Sequence, residues 1–345
     1  MSNLERKVLE TIKKYNLIEE GDRLVVAVSG GPDSICLLDI LNKIIKQDEN
    51  CSKGPSSMAK SCQKGPSLVA THVNHMIRDE ASEDEKYVKN YCEKNGIEFY
   101  SKSIDVQKLA NNNKIGLEEA GRIARYEFFD EVLQKTNADK IAIAHNLNDK
   151  VETIIMNLLR GSGITGLIGI EPKRGIYIRP LIECERYEIE DYCKENNLNP
   201  RIDKTNFDNT YTRNKIRNVV IPYIKQEFNP NIMSTVNRLS NLASEEERYI
   251  QTQVNSVYKK LLFSEQKGQI VLDLKEFNKQ ERVIKSRLVL YTITRLFGSS
   301  QGIEKIHIED IIKLCDNNIG NKYLTPNKNI KVLVKNHKIY FLSQV

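Results

Sequence analysis

"VAVSGGPDS", residues Val26 to Ser34, runs an apolar segment directly into two glycines, a proline, an aspartate and a serine. A buried strand that ends in a Gly-Gly turn, with Pro32 opening the next element, is a strand-loop-helix junction. Residues Ile35 to Ile45 (ICLLDILNKII) continue with helical apolar spacing. The loop therefore sits at a helix N-terminus, where backbone N–H groups lack partners and the helix dipole is positive. Such a junction is a seat for phosphate.

Outward from this loop, strand-like runs recur at Leu24–Ser29, Leu68–Val73, Glu98–Ile104 and Lys140–Ala144, with helical patterns between them. This alternation predicts an α/β fold of βαβ units around a mostly parallel, Rossmann-like sheet, with ligands in the crevice at the strands' carboxyl ends. After about Pro230 the pattern becomes long and helical, with further helices at Glu281–Leu296 and His307–Cys315. The terminal IKVLVKNHKIYFLSQV alternates apolar residues around Lys335, Asn336 and His337, which predicts a closing β-hairpin. We therefore expect a nucleotide-binding domain over 1–225 and a smaller helical domain over 226–345. Cys51 to Ser67 interrupts the first domain: it repeats C-x-K-G-P-S, offers almost nothing to a core, and reads as a flexible insertion.

The 345 residues suffice for two domains with their own cores. The formal charge of +6 is unevenly placed, since residues 317–345 hold five lysines (Lys322, Lys328, Lys331, Lys335, Lys338) and no acid. That asymmetry suits a polyanionic partner, and equally a solvated basic face. The first eighteen residues form an amphipathic, charged helical pattern unlike a signal peptide, and no window reaches membrane-spanning length, so a cytoplasmic protein with no membrane partner is expected. Seven scattered cysteines without a C-x-x-C pair argue against a disulfide framework or a zinc ribbon.

The loop lacks the G-x-x-x-x-G-K-[ST] spacing of a Walker motif and the G-x-G-x-x-G of a dinucleotide site. Gly30 and Gly31 let the main chain approach an anion, Ser29 and Ser34 offer hydroxyls, and Asp33 can hold a magnesium ion. A site that cradles pyrophosphate with its metal suits cleavage between the α and β phosphates. A plain strand-helix turn is the alternative.

SGGPDS resembles the signature of the PP-loop ATP pyrophosphatases. Further along the chain, in order, come HVNHMIRDEASEDEKYV, LEEAGRIARYEFF, AHNLNDKVETIIMNLLRGSGITGLIGI, IRPLI and DKTNFDNTYTRNKIRNVVIPYI. Together they resemble the tRNA(Ile)-lysidine synthase family, strongly over residues 20–225 and more loosely beyond. Some members carry a further C-terminal domain that this sequence does not show. The resemblance implies that ATP activates C2 of the wobble cytidine in a tRNA(Ile) with a CAU anticodon. Free L-lysine then attacks that carbon, and AMP and pyrophosphate are released. It also implies ATP and Mg2+ as cofactors and a tRNA-binding role for 226–345, with homodimerisation left open.

The resemblance assigns Ser29, Gly30, Gly31, Pro32, Asp33 and Ser34 to ATP, together with His72, His75, Arg78 and His145. His72 ends an apolar run, so a structural role stands beside the phosphate role, and a metal pair with His75 lacks a third ligand. Arg122 and Arg125 share a helix face and are implied to bind ATP phosphates, although pairing with Glu118 or Glu119 would satisfy the spacing alone. Asp149 and Glu152 resemble a capping box, and the resemblance adds a lysine-binding or metal-organising role. Arg160, Gly161, Ser162 and Gly163 can end a helix or admit substrate closely. Arg213, Asn214 and Arg217 could meet tRNA, in a stretch (200–230) with six basic side chains against three acids. The rival within the superfamily is a PP-loop tRNA thiolase, which would need cysteine motifs that are missing here. Small-molecule synthetases and a non-enzymatic RNA-binding protein fit less well.

Overall fold

The computed structural model describes residues 1–51, 67–76, 81–201, 212–317 and 322–344. The chain divides into two compact units, Met1–Asn241 and Leu242–Val345. Most of the expected insertion, 52–66, and the candidate Arg78 lie outside the described residues.

The first unit opens with α1 (Asn3–Lys14), β1 (Arg23–Ala27), α2 (Pro32–Cys51), β2 (Ser67–Asn74), α3 (Ala81–Asn95) and β3 (Glu98–Ser103). It continues with α4 (Val106–Asn113), α5 (Leu117–Thr136), β4 (Lys140–Ala142), α6 (Leu147–Leu159) and α7 (Ile164–Ile168). Two short strands, β5 (Lys173–Arg174) and β6 (Tyr177–Ile178), precede α8 (Arg186–Glu195) and α9 (Thr212–Lys215). A π-helical turn (Ile216–Val220) then leads into α10 (Ile221–Glu227) and the long α11 (Ile232–Leu261), within which the division between the units falls.

All four expected strands form, each within two residues of its expected ends, and Pro32 is the first residue of α2 as its fixed φ favours. The sheet has the order β3-β2-β1-β4-β6-β5, parallel except for the β5–β6 pair. Side chains alternate across it. Leu24 and Val26 join the core formed with α1, α2 and α8 (Val8, Leu37, Leu41, Ile189), whereas Val25 joins Val69 and Ile141 under Phe128, Phe129 and Val132 of α5. Both faces are thus covered, which explains why β1 is a continuous apolar run. The strand order reverses at β1, between β2 and β4, so the loops after β1 and β4 flank the crevice where such sheets bind ligands.

The second unit holds β7 (Leu262–Gln266), β8 (Gln269–Asp273), α12 (Leu274–Asn278), α13 (Arg282–Phe297), α14 (Lys305–Asp316), β9 (Lys322–Asn327), β10 (Ile330–Lys335) and β11 (Lys338–Ser343). The expected helices are α13 and α14. The expected hairpin is β10–β11, in which Lys335 pairs Lys338 across Asn336 and His337, both at positive φ (50° and 56°) as a type I′ turn requires. To these the structure adds β7, β8 and β9, completing an antiparallel sheet of order β7-β8-β11-β10-β9. Leu288 and Ile293 of α13 and Ile311 of α14 pack on Val332, Ile339 and Phe341 of that sheet. Among the described residues, no helix is long and apolar enough to cross a membrane.

Candidate active site

At the end of β1 the chain reverses through Gly30, whose φ of +91° lies where a side chain is disfavoured. Ser34 Oγ accepts the Ser29 N–H at 3.1 Å and donates to the Gly31 carbonyl at 3.0 Å, and Ser29 Oγ lies 3.1 Å from it. The two hydroxyls therefore shape the loop from within. His72 braces it from β2: the imidazole is buried, and its Nδ1 lies 2.8 Å from the Val28 carbonyl. A carbonyl only accepts, so Nδ1 carries the proton. Burial pushes the His72 pKa below its ordinary value, which keeps the ring neutral. The Arg201 N–H donates to the Gly30 carbonyl at 3.0 Å, while its guanidinium pairs with Asp84 at 3.2 Å and with Glu83.

Across the crevice, β4 runs into His145 and then α6. Asn146 is the N-cap: its side-chain oxygen accepts the Asp149 N–H at 3.0 Å, and Asp149 Oδ2 accepts the Asn146 N–H at 3.1 Å. The capping box therefore lies three residues earlier than the Asp149–Glu152 spacing suggested. Asn146 does more than cap, because its Nδ2 donates to Asp33 Oδ1 at 2.9 Å. One side chain thus ties the phosphate loop to the acidic helix. The N-x-x-D spacing of Asn146 and Asp149 is the sequence signal that could have singled it out.

Asp149 and Glu152 are both buried, Glu152 fully. The Arg213 Nε donates to Glu152 Oε2 at 2.9 Å, and a terminal nitrogen of Arg213 lies 3.1 Å from Asp149 Oδ1. Arg217 donates to Glu152 Oε1 at 2.6 Å through Nε and to Oε2 at 2.8 Å, and also reaches Asp149 Oδ1 at 3.3 Å. Every oxygen of the two carboxylates therefore has a partner. The arginines arrive from α9 and the π-helical turn, an irregularity of helices that is frequent at functional sites. Arg186 stands 4.0 Å from Asp149, and Asn214 is half-buried between the two arginines in sequence.

Charge is not evenly compensated. Burial and the neighbouring Asp149 push the Asp33 carboxyl up to about 6, against the pull of Arg186 and Arg217. Asp33 makes no ion pair among the described residues. Burial, with Arg179, Arg213 and Arg125 nearby, pushes His145 down to about 4 against the opposing charge of Asp149. The Arg179 Nε donates to His145 Nδ1 at 3.2 Å, so that imidazole is neutral with its proton on Nε2. Arg179, buried and also donating to the Glu171 carbonyl at 2.8 Å, was not among the expected site residues, and the IRPLI motif that contains it is the signal that could have singled it out.

His75 packs over Gly121 of α5, where an added Cβ would come within 3.7 Å of its ring, and α5 also carries Arg122 and Arg125. Arg125 donates to the Gly121 carbonyl at 3.3 Å, and Arg122 lies over the Tyr126 ring. By contrast, Arg160, Gly161, Ser162 and Gly163 sit at the far end of α6, about 16 Å along the helix from Asp149. There Gly161, at φ +74°, closes the helix: its N–H donates to Leu158 and that of Ser162 to Asn157, the Schellman pattern.

A family model described as the PP-loop domain matches residues 1–224. Over 340 residues the chain is 42% identical to the tRNA(Ile)-lysidine synthase of Clostridioides difficile (strain 630), covering 98% of this chain and 70% of that protein. It is 44% identical over 328 residues to the enzyme of the same name from Clostridium tetani (strain Massachusetts / E88), covering 94% and 66%. The chain thus spans about two thirds of the length of these curated relatives. Among solved structures, the U34-tRNA thiolase NcsA from Methanococcus maripaludis superposes with a TM-score of 0.56 at 20% identity, covering 70% of this chain and 78% of that one. That likeness is one of fold.

Proposed function

The chain belongs to the tRNA(Ile)-lysidine synthase family of PP-loop proteins, and from that premise we propose that it joins free lysine to the wobble cytidine of a CAU-anticodon tRNA(Ile) at the expense of ATP. The C2 oxygen of the cytidine attacks the α-phosphorus, and pyrophosphate leaves. The lysine amine, having lost a proton, then attacks C2, and AMP departs with the oxygen. The observation that carries this reading is the Asn146 bridge, because it joins Asp33 of the phosphate loop to Asp149 of the acid pair. Nucleotide handling and amine handling then share one crevice.

Within that crevice the loop amides bind and orient the departing phosphates, while Arg122 and Arg125 bind the nucleotide's negative charge. Asp33, a half-buried carboxylate without a cationic partner among the described residues, would hold a magnesium ion, whose positive charge would offset the charge of the leaving pyrophosphate. The lysine ammonium takes the place of an arginine at Asp149 and Glu152, and the released guanidinium is then available to the RNA. His145 is not the proton acceptor, as its Nδ1 is engaged by Arg179 and its Nε2 already carries a proton. The lysines of β9, β10 and β11 supply a basic surface for the tRNA body.

The test is incorporation of labelled lysine into a CAU-anticodon tRNA(Ile) transcript with ATP, together with identification of the nucleotide product. AMP and pyrophosphate, with a product whose mass includes lysine, is the expected result. ADP as the nucleotide product, or a modified RNA whose mass is indifferent to lysine, overturns the reading.

A further inference from the structure

The segment that delivers Arg213 and Arg217 to the acid pair has a second side. Inward, Ile216 and Ile221 are buried against Leu147 and Val151 of α6, the helix that carries Asp149 and Glu152. Outward, Tyr223 and Phe228 are 59% and 74% exposed, and Val219 is 50% exposed. The two rings pack on each other, with centroids 5.8 Å apart and planes at 66°, so each keeps aromatic surface open to solvent. Scattered apolar residues on a surface need no explanation, but two aromatic rings in contact outside any core are a different case.

Their surroundings identify the partner's chemistry. Lys225 lies between the two aromatics in sequence and Lys215 stands eight residues before Tyr223, and neither is paired with an acid among the described residues. Aromatic faces interleaved with unpaired lysines are the combination that holds single-stranded nucleic acid, with bases stacking on rings and phosphates meeting ammonium groups. Position points the same way. Tyr223 lies six residues beyond Arg217, about 9 Å along the helix from the acid pair's arginine. Chemistry on a base requires that base to leave its stack, and its neighbours in the strand then lose a stacking face.

We propose that Tyr223 and Phe228 form a stacking platform for an unpaired RNA base adjacent to the one that enters the crevice, with Lys215 and Lys225 holding its phosphates. This rests on the reading that the substrate is a tRNA modified at a loop base. Because Ile216 and Ile221 tie the same segment to α6, seating a base on the rings also fixes the register of the strand relative to Asp149 and Glu152.

The chain contains no tryptophan, so Tyr223→Trp places a single indole on the platform. In the full chain, its fluorescence is expected to be quenched by an RNA hairpin carrying the CAU anticodon loop. A fully paired RNA duplex of equal length should leave it unchanged. Tyr223→Ser with Phe228→Ser should weaken hairpin binding about 5- to 150-fold, with the salt dependence of binding and the ATP affinity unaltered. Binding of labelled hairpin with no quenching and no loss in the double variant overturns the platform while leaving the proposed function standing. Failure of the wild-type chain to bind the hairpin while it still binds the CAU-anticodon tRNA(Ile) transcript overturns the platform alone, and failure to bind the transcript as well overturns both. A concentration-dependent change in the indole emission without RNA, accompanied by dimers in sedimentation, assigns the rings to a second copy of the chain and also overturns the proposal.

Discussion

Arg217 grips Glu152 at two points, with Nε 2.6 Å from Oε1 and a terminal nitrogen 2.8 Å from Oε2. Glu152 has no exposure to solvent, so its charge is carried by this fork and by Arg213. The pairing lifts the Arg217 pKa above its ordinary value despite burial. Glu152→Gln should therefore destabilise the chain by about 3–5 kcal/mol in urea denaturation, the usual result of removing one member of a buried pair. Combining it with Arg217→Met should cost much less than the sum of the single changes. Additive effects would mean that the two residues are not energetically coupled.

A different measurement separates structure from chemistry at the same residue. If the acid pair receives the lysine ammonium, Glu152→Asp, which keeps the charge but shortens the reach, should raise the lysine KM at least tenfold and leave the ATP KM within about twofold, 1.4 kcal/mol being a factor of ten. Equal changes in both constants would point to a general loosening of the site instead.

The Asp33 carboxyl, pushed up to about 6 from an ordinary 3.8, gives the site a pH signature. Because the folded-state pKa is raised, its contribution to stability is present below pH 4 and is lost as pH rises through about 6. Under the proposed function activity should run in the opposite sense, since a carboxylate that is to hold magnesium must be ionised. Near pH 6, binding of magnesium with ATP should release about half a proton, measured by calorimetry in buffers of different ionisation enthalpy. Asp33→Asn should abolish that release along with turnover. Proton release undiminished in Asp33→Asn would remove Asp33 as the metal ligand.

His72→Leu deletes the bond to the Val28 carbonyl at the root of the loop. The orphaned carbonyl should cost about 1–3 kcal/mol of stability and raise the ATP KM more than it lowers kcat. His72→Gln, whose side-chain amide can donate to the same carbonyl, should recover part of the loss. An unchanged KM in the leucine variant would show that the loop holds its shape without this brace.

The cysteines provide the contrast with sulfur transfer. Cys36, Cys92, Cys184, Cys193 and Cys315 are all buried, and burial pushes the thiols of Cys92, Cys184 and Cys315 up to about 12, far from thiolate at neutral pH. Cys51 and Cys62 complete the seven. A variant with all seven replaced by alanine, provided that it folds, should still yield lysine-dependent product. Loss of activity on changing a single cysteine, with a product mass indifferent to lysine, would favour a thiolase.

What could be read from the sequence is what neighbours in the chain decide among themselves. The β1–loop–α2 junction needs only an apolar run, a glycine free to adopt φ +91° and a proline whose φ suits a first helical turn. The β10–β11 turn at Asn336 and His337 is equally local. The same reasoning fell short for β7, β8 and β9, because those strands gain their stability from pairing with β8, β11 and β10 rather than from their own residues.

The partners of the site residues were decided by tertiary structure. Asp149 and Glu152 were legible as an acidic pair, but nothing within a helical turn reveals that Arg213 and Arg217, more than sixty residues further along the chain, satisfy them. Nor could local spacing show that Asn146 reaches Asp33 across 113 positions, that Arg179 fixes the proton of His145, or that His72 turns to the Val28 carbonyl. The physical reason is one of range. Backbone preference and periodicity act over a few residues, whereas hydrogen bonds and buried charges act over about 3 Å of space, and only packing brings distant segments that close.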